Sequence, residues 1–517
     1  MANNIISIIK IGSNMLNLKI TQKLNNKIEV LEEIEHPVGI GKDTFSKGKI
    51  SFEKINKICE IVNKFIDIAK DYNINKDKII IVATSAIRES SNKEFLLDQL
   101  RIKSGVTLDI IDDSEEKLHN YKNIYRTIEK FPKLKKETSL IAYISSGSLG
   151  VALYQNEKII FTQNILIGSL KLNEILSELK PNSEKYHIMI NDYLHNFIIT
   201  LKKFLPTKDI NNFIITGRNM KFIAKECKAT INDNTYIISR KEFINFYDIV
   251  KENSSYELIK TYNIREDKSQ ILLPSIGIYK ILLDLTSANH IIFPPLEFID
   301  SIIYDELYES EKNILVKKIY NSTIETSRKI GEKYLYNEEH ASFVENLSLK
   351  IFDKLKDIHF FSEKDRIFLQ VASILHDVGK FINIKNHYEH SYNIIKNTDI
   401  IGLSISDMNI IANIVYYHSQ DFPNINKGNL KNLEIYDKIV IAKLLAILRI
   451  SDSLDKSHKQ NFKNFKLDYK NSELNITVKT NENTSIDEWN FNKRKEFTME
   501  VFGIKINLRK KKLFKLD

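Results

Sequence analysis

Two stretches of the chain follow one plan. IISIIKIGSNMLNLKI, residues 5–20, runs an apolar strand into a Gly-Ser-Asn turn and out along a second strand in which Leu16, Leu18 and Ile20 alternate with polar residues. SLIAYISSGSLGVALYQ, residues 139–155, repeats strand, Gly-Ser turn and strand. Each is followed by alternating helix and strand. After the first come a helix over about 51–72 (Ile55, Ile58, Val62, Phe65 and Ile66 at helical spacing), the strand IIIVA, a helix over 92–103, the strand LDIID and a helix opened by Ser114-Glu115-Glu116. After the second, the strand NFIIT at 212–216 enters a turn at Gly217 and then the helix MKFIAKEC. Such a repeat predicts two similar α/β domains facing each other across a cleft, each lending a turn, with ligand between them. Glycine-serine turns suit phosphate, because backbone N–H groups approach the oxyanion and hydroxyls add donors.

At 517 residues the chain is too long for one core, and three or four domains are expected. A charge of +9, from 76 basic and 67 acidic residues, is spread along the chain and fits polyanionic ligands or plain solubility. The run Arg509 to Lys512 reads as a solvated tail, and no specific nucleic-acid binding is expected. No apolar run is long enough for a membrane span, and MANNIISIIKIGSN lacks the features of a signal peptide, so a cytoplasmic location is expected. Cys59 and Cys227 read as buried small hydrophobes.

From about residue 312 long helices replace β patterning. HASFVENLSLKIFDKL sets Phe343, Leu347, Ile351 and Leu355 on one face, and QVASILHDVGKF, MNIIANIVYYH and IVIAKLLAILRISDSLD follow. ILHDVGK at 374–380 places His376 beside Asp377, with further donors at His340, His387, His390, His418 and Asp452. Each alone has a plainer reading as a core histidine or a helix-bonded aspartate. Together they stand out, because six of the chain's 12 histidines fall between 340 and 418. Imidazole with carboxylate suits manganese, iron or similar ions better than thiolate-loving metals, and two such ions about 3.5–4 Å apart can polarise a phosphoryl group. The last 55 or so residues return to alternation (FKLDY, LNITVK, FGIKINL) and look like a small β-containing appendage.

The helical spacing resembles the HD phosphohydrolase superfamily, whose pattern is His, His-Asp and a late Asp, with two more histidines in two-metal forms. That resemblance implies a divalent metal (Mn, Fe or Mg) on His340, His376, Asp377 and Asp452, with His390 and His418 as the additional pair and His359 and His387 as neighbours. Taken end to end, the chain resembles the exopolyphosphatase/guanosine pentaphosphate phosphohydrolase (Ppx/GppA) family. IKIGSN (9–14), VATSAIRESSN (82–92), DDSEEKLHNYKNI (112–124), ISSGSLG, LIGSLKLNE (166–174) and ITGRN (215–219) carry the likeness, as do LHDVGKFINIKNHYEHS, YYHSQDFP and LRISDSLDKSH.

The resemblance implies an α/β plus all-α fold: two actin-like (ribonuclease H-like) domains over 1–128 and 129–310, an HD-type helical domain over 311–461 and a small C-terminal unit over 462–517. It implies phosphate binding by Gly12, Ser13, Asn14, Arg88, Gly147, Ser148 and Gly217, water orientation by Glu116, and a homodimer. A surface salt bridge for Arg88 and a helix N-terminal carboxylate for Glu116 are the plainer alternatives. The activity it implies is release of terminal phosphate from polyphosphate or a guanosine polyphosphate. Three positions depart from the family pattern: Lys10, Tyr143 and Gly150 stand where carboxylates are usual. They favour binding over cleavage in the N-terminal cleft and point to the HD domain as the better-equipped catalytic centre. The rival reading is a non-catalytic polyphosphate or alarmone sensor that regulates the HD domain or a partner.

Overall fold

The computed structural model describes residues 5–511 apart from 26, 146, 178–185, 218, 421–427 and 463. The chain forms two compact units, residues 1–319 and 320–517.

The first unit is built on two sheets. One contains β1 (Ile5–Ile11), β2 (Met15–Leu24), β3 (Lys27–Pro37), β4 (Ile79–Ala83) and β5 (Asp109–Ile110), in the order β3-β2-β1-β4-β5. The other contains β6 (Ser139–Ile144), β7 (Leu149–Gln155), β8 (Lys158–Ile165), β9 (Asn212–Gly217), β10 (Thr230–Asn232), β11 (Thr235–Ser239) and β12 (His290–Phe293), in the order β10-β11-β12-β9-β6-β7-β8. The run β8-β7-β6-β9-β12 reproduces β3-β2-β1-β4-β5 strand for strand. In both, three antiparallel strands are followed by two parallel ones. The internal repeat is therefore a repeat of topology, and it sets β1 and β6 at equivalent central positions.

Strand β1 reads as an unbroken apolar run because both its faces are covered. Ile9 and Ile11 join a core with Ile55, Ile58, Val62 and Phe65 of the helix Phe52–Asp71. Ile6 and Ile8 meet Phe298, Ile299, Ile302 and Ile303 of the helix Phe298–Leu307. This second layer departs from the expected partition, which kept residues 298–310 with the second domain. The chain returns to the first sheet because the even-numbered face of β1 needs an apolar cover, which FIDSIIYDEL supplies at helical spacing. The second α/β domain is thus inserted into the first. The returning helix is locked to the helix Asp113–Lys130 by a buried ionic cluster: Lys122 and Arg126 pair with Asp305, and His119 Nδ1 lies 3.1 Å from Ser301 Oγ. Burial, with Lys122 beside it, pushes the His119 pKa down to about 4.

The second unit packs the helices Glu338–Lys354, Glu363–Leu375, His387–Lys396, Ile405–Tyr417 and Ile435–Ser453 around one core. The sheet of β13 (Asn464–Lys470), β14 (Glu473–Lys479) and β15 (Lys505–Lys511) belongs to that core as well. Leu474, Ile476, Val478 and Ile506 are buried with Leu444, Ile447 and Leu448, and Thr498 Oγ1 donates to the Ala446 carbonyl at 3.2 Å. The C-terminal segment is therefore part of the helical unit and not an appendage. Its alternation buries every second side chain of β14, and the helices supply the cover. Cys59 and Cys227 are buried, as expected of small hydrophobes.

Candidate functional site

Two constellations carry candidate chemistry, one in each unit. In the first unit a cavity of about 330 Å³ lies between the two sheets, lined by Lys10, Ser13, Asn14, Glu116, Tyr143, Ser145 and Gly217 among others. Four of the residues expected to hold phosphate or orient water for its release sit there: Ser13, Asn14, Glu116 and Gly217. Gly217 has φ +144°, and a Cβ there would stand 2.6 Å from the Ile144 carbonyl, so the third turn needs glycine to pass close to β6. Gly12, Arg88, Gly147 and Ser148 are not among the lining residues. Arg88 instead donates to the Ile111 carbonyl at 2.8 Å.

The second turn is turned in on itself. Ser145 Oγ accepts from the Gly147 and Ser148 amides at 3.3 and 2.9 Å, so the side chain occupies donors that an anion would use. Glu116 is buried, and its Oε1 accepts the Tyr143 hydroxyl at 2.5 Å. Lys10 is also buried, and its Nζ lies 3.1 Å from Glu297 Oε2 and 4.6 Å from the Phe298 ring centroid. Glu35 and Asp267 complete the carboxylates of the cavity, and each accepts from a neighbour, Asn17 at 2.9 Å and Arg265 at 2.7 Å.

The second constellation is in the helical unit, where each candidate ligand sits at a helix end. His340 opens the helix Glu338–Lys354, and its amide donates to Asn337 Oδ1 at 3.0 Å. His376 and Asp377 form the junction between the helix Glu363–Leu375 and the 3-10 turn Val378–Phe381. His387 begins the helix His387–Lys396, His418 ends Ile405–Tyr417, and Asp452 lies in the last turn of Ile435–Ser453. Helix ends suit this task because the chain changes direction there and so brings residues distant in sequence to one point.

The junction is held by close packing. Ser391 Oγ accepts from the Gly379 amide and donates to the His376 carbonyl, both at 2.8 Å. A Cβ on Gly379 would lie 2.0 Å from the His387 carbonyl oxygen, which is why glycine stands two residues after Asp377.

Two groups of donors share Asp377. His340 Nε2 and His376 Nε2 are 3.1 Å apart, and Asp377 Oδ2 lies 3.7 and 3.5 Å from them. Asp452 Oδ1 adds a second carboxylate, 3.4 Å from His340 Nε2 and 3.8 Å from His376 Nε2. On the other side Asp377 Oδ1 lies 3.3 Å from His387 Nε2 and 3.8 Å from His418 Nε2, and these nitrogens are 3.2 Å apart.

All four rings are tethered through Nδ1: His340 to Asp455 at 2.8 Å, His376 to the Ser373 carbonyl at 2.9 Å, His387 to the Ile384 carbonyl at 3.2 Å and His418 to the Val415 carbonyl at 2.5 Å. Each Nδ1 must donate, so the four Nε2 lone pairs point inward. Paired lone pairs at about 3 Å repel unless a cation lies between them. The donor set of nitrogen and carboxylate oxygen, without sulfur, fits a divalent ion in each group. Among the described residues these are the two groups with metal-ligand geometry.

Without an ion, a proton on His340 takes the cation's place in the first group. Burial opposes charge on His340, but Asp452 and Asp455 prevail and hold its pKa at about 9. Burial keeps His376 and His387 below the usual imidazole value and takes His418 to about 3. Burial would raise Asp377 and Asp452, yet the cations facing them hold both carboxyls low: His376 and Lys380 for Asp377, Lys456 and His340 for Asp452. Lys380 Nζ lies 2.5 Å from Asp377 Oδ2 and Lys456 Nζ 3.4 Å from Asp452 Oδ2. Both lysines are more exposed than the ligands they pair with and mark the solvent side of the cluster.

Of the expected ligands, His340, His376, Asp377, His418 and Asp452 converge. His390 does not; His387, one turn earlier, stands in its place. Asp455 and the tethering carbonyls were not anticipated. A second acid three residues after Asp452, within SDSLDKSH, was the available signal.

Residues 19–309 match the Ppx/GppA phosphatase family, and residues 323–498 match Ppx/GppA phosphatase, domain III. The chain belongs to the Ppx/GppA phosphatase family. It is 19% identical to a guanosine-5'-triphosphate,3'-diphosphate pyrophosphatase of Pseudoalteromonas translucida over 456 residues, 87% of this chain and 86% of that one. It is 24% identical over 299 residues to a bifunctional 3-dehydroquinate synthase/phosphatase of Fusobacterium nucleatum, a match that covers 55% of this chain and 44% of that one. An exopolyphosphatase from Cytophaga hutchinsonii superposes with TM-score 0.52 at 21% identity, over 59% of this chain and 97% of its own. The fold is that of a Ppx/GppA protein: two actin-like domains followed by a helical domain. No helix among the described residues is long and apolar enough to cross a membrane.

Proposed function

We propose that this Ppx/GppA phosphatase is a divalent-metal phosphohydrolase whose working centre is the HD-type cluster of the helical unit, acting on a terminal phosphoryl of polyphosphate or a guanosine polyphosphate. The names of its relatives support that substrate class. The observation that carries the assignment is Asp377, whose two oxygens each serve a separate pair of inward-facing imidazoles. His340, His376, Asp377 and Asp452 would hold one ion, and His387, His418 and Asp377 the other. When bound, such a pair supplies Lewis-acid polarisation of the phosphoryl group and activation of water.

The protein's own groups do the remaining work. Nδ1 tethers fix the rings so that no reorientation is needed, and the Lys380 and Lys456 ammonium groups stand ready for phosphate oxygens. The cation is Mn, Fe or Mg, and the helical unit with its C-terminal sheet forms one domain around a shared core. The test is metal content together with phosphate release from long-chain polyphosphate and a guanosine polyphosphate. Asp377→Ala is expected to remove the metal and lower release by roughly 10²–10³-fold, since Lewis-acid stabilisation contributes several kcal/mol. Release that survives Asp377→Ala but is lost in Glu116→Gln would return the chemistry to the cleft.

The second reading, a non-hydrolytic cleft that senses the polyanion, is favoured by Tyr143, whose hydroxyl already occupies Glu116. It is compatible with the first, one unit binding and the other cleaving.

A further inference from the structure

A Ppx/GppA cleft is expected to work with a divalent ion, and the residues present do not fit one. At Lys10 and Tyr143 the usual carboxylates are replaced by an ammonium and a phenol, and Gly150, opposite Tyr143 in the β6–β7 register, has no side chain. The cavity's four carboxylates are each engaged by a hydrogen-bond donor: Glu116 by Tyr143, Glu297 by Lys10, Glu35 by Asn17 and Asp267 by Arg265. Lys10 itself has a 10% exposed side chain, is backed by the Phe298 ring and faces the cavity. A buried ammonium needs a counter-ion, and Glu297 Oε2 provides it at 3.1 Å.

Glu297 is half exposed and belongs to the loop that leads back to the first sheet. Its main chain is fixed at the start of the helix Phe298–Leu307: its amide donates to Asp300 Oδ2 at 2.7 Å, and its carbonyl accepts from the Asp300 amide at 3.0 Å and from Asn123 Nδ2 at 2.7 Å. The helix cap can therefore hold Glu297 in place while Oε2 leaves Lys10. Asn219 Nδ2, also lining the cavity, is buried without a hydrogen-bond partner and is a donor in want of an acceptor.

We infer that the cleft is a metal-independent receptor for the end of an oligophosphate, with Lys10 as its resident cation and Glu297 as the counter-ion that the ligand displaces. Phosphate oxygens would take the place of Glu297 Oε2 at Lys10 and accept from Ser13 and Asn219. This deepens the second reading above, that of a binding cleft.

The test is calorimetric titration of the full chain with inorganic tripolyphosphate in EDTA, where neither unit holds an ion. Binding is expected to persist in EDTA and to weaken about tenfold or more in Lys10→Met, the scale of one charged hydrogen bond. It is expected to tighten in Glu297→Gln, which leaves the main-chain bonds at the helix start in place but removes the competing charge. The opposite signs separate a lost contact from a misfolded domain. Binding that appears only when Mg²⁺ is added, or that neither substitution alters, overturns the inference. Phosphate release in Mn²⁺ is a separate readout: if it proves independent of Asp377 while Lys10→Met still weakens EDTA binding, the catalytic proposal falls and this one stands.

Discussion

In the cleft, each carboxylate accepts a hydrogen from a neighbour: a phenol, an ammonium, an amide or a guanidinium. In the helical cluster the tethers run the other way, since each imidazole uses its outer nitrogen to donate and turns the inner one toward the cluster. Both regions are polar and gather residues from several elements, but the helical ligands are buried or half-buried whereas Glu35 and Glu297 of the cleft are exposed. The difference lies in where the protons are. A region saturated by internal donors is stable as it stands and has little hold on a cation. A region of inward-facing imidazoles and carboxylates suits a cation, and on the proposed reading the binding energy of that ion becomes folding energy.

Gly379→Ala would break this contrast most severely. The added methyl meets the His387 carbonyl and pushes apart the helices that carry the two groups. Loss of bound metal and a destabilisation of about 3 kcal/mol are expected, read by metal analysis and chemical denaturation. Next in size, Asp455→Ala removes the acceptor that fixes the His340 ring, and metal affinity should fall about 10–100-fold in a chelator competition with the fold intact.

Acidity offers a graded version. His340 must lose a proton to coordinate, and its metal-free pKa is about 9. Metal affinity is therefore expected to fall by up to about tenfold per pH unit below 9, measured at fixed total metal. Stability of the chelated protein runs the other way for this group. The folded pKa lies above the ordinary 6.5, so the contribution is fully present below pH 6.5 and is lost as pH rises through 9. Denaturation in EDTA at pH 6.5 and at pH 9.5 should show that loss.

The smallest change sharpens the cleft. Tyr143→Phe leaves buried Glu116 without its phenol and should cost about 1–2 kcal/mol in a thermal melt, with no change in bound metal. A gain of metal in that variant would mean the phenol alone had kept the cation out.

How much of this could be read beforehand depended on the range of each interaction. The repeat was legible because alternation and glycine turns are local, and so were the helix ends at His376 and His418. The choice between His387 and His390 was not. Three residues separate them, about one turn, so both project toward the same side of the helix, and a hydrogen bond to the Ile384 carbonyl selects the first. In the sequence Tyr143 shows only as a missing acid. Its partner lies 27 residues earlier on a different element, a contact that no spacing announces. The return of residues 298–307 to the first sheet was hidden for the same reason: the helix is local, but the face it covers was laid down almost 300 residues before.

That return has a mechanical consequence. An inserted domain is joined to its host by two strands of chain, here after the helix Asp113–Lys130 and again through residues 294–297. A body on a single tether can swivel, whereas one on two pins has little freedom beyond swinging about the line between them. Any relative movement of the two halves of the cleft is thereby confined to one path, and Glu297 sits on one of the pins. A ligand that takes its carboxylate from Lys10 therefore acts at the axis of the door while the main chain there stays fixed.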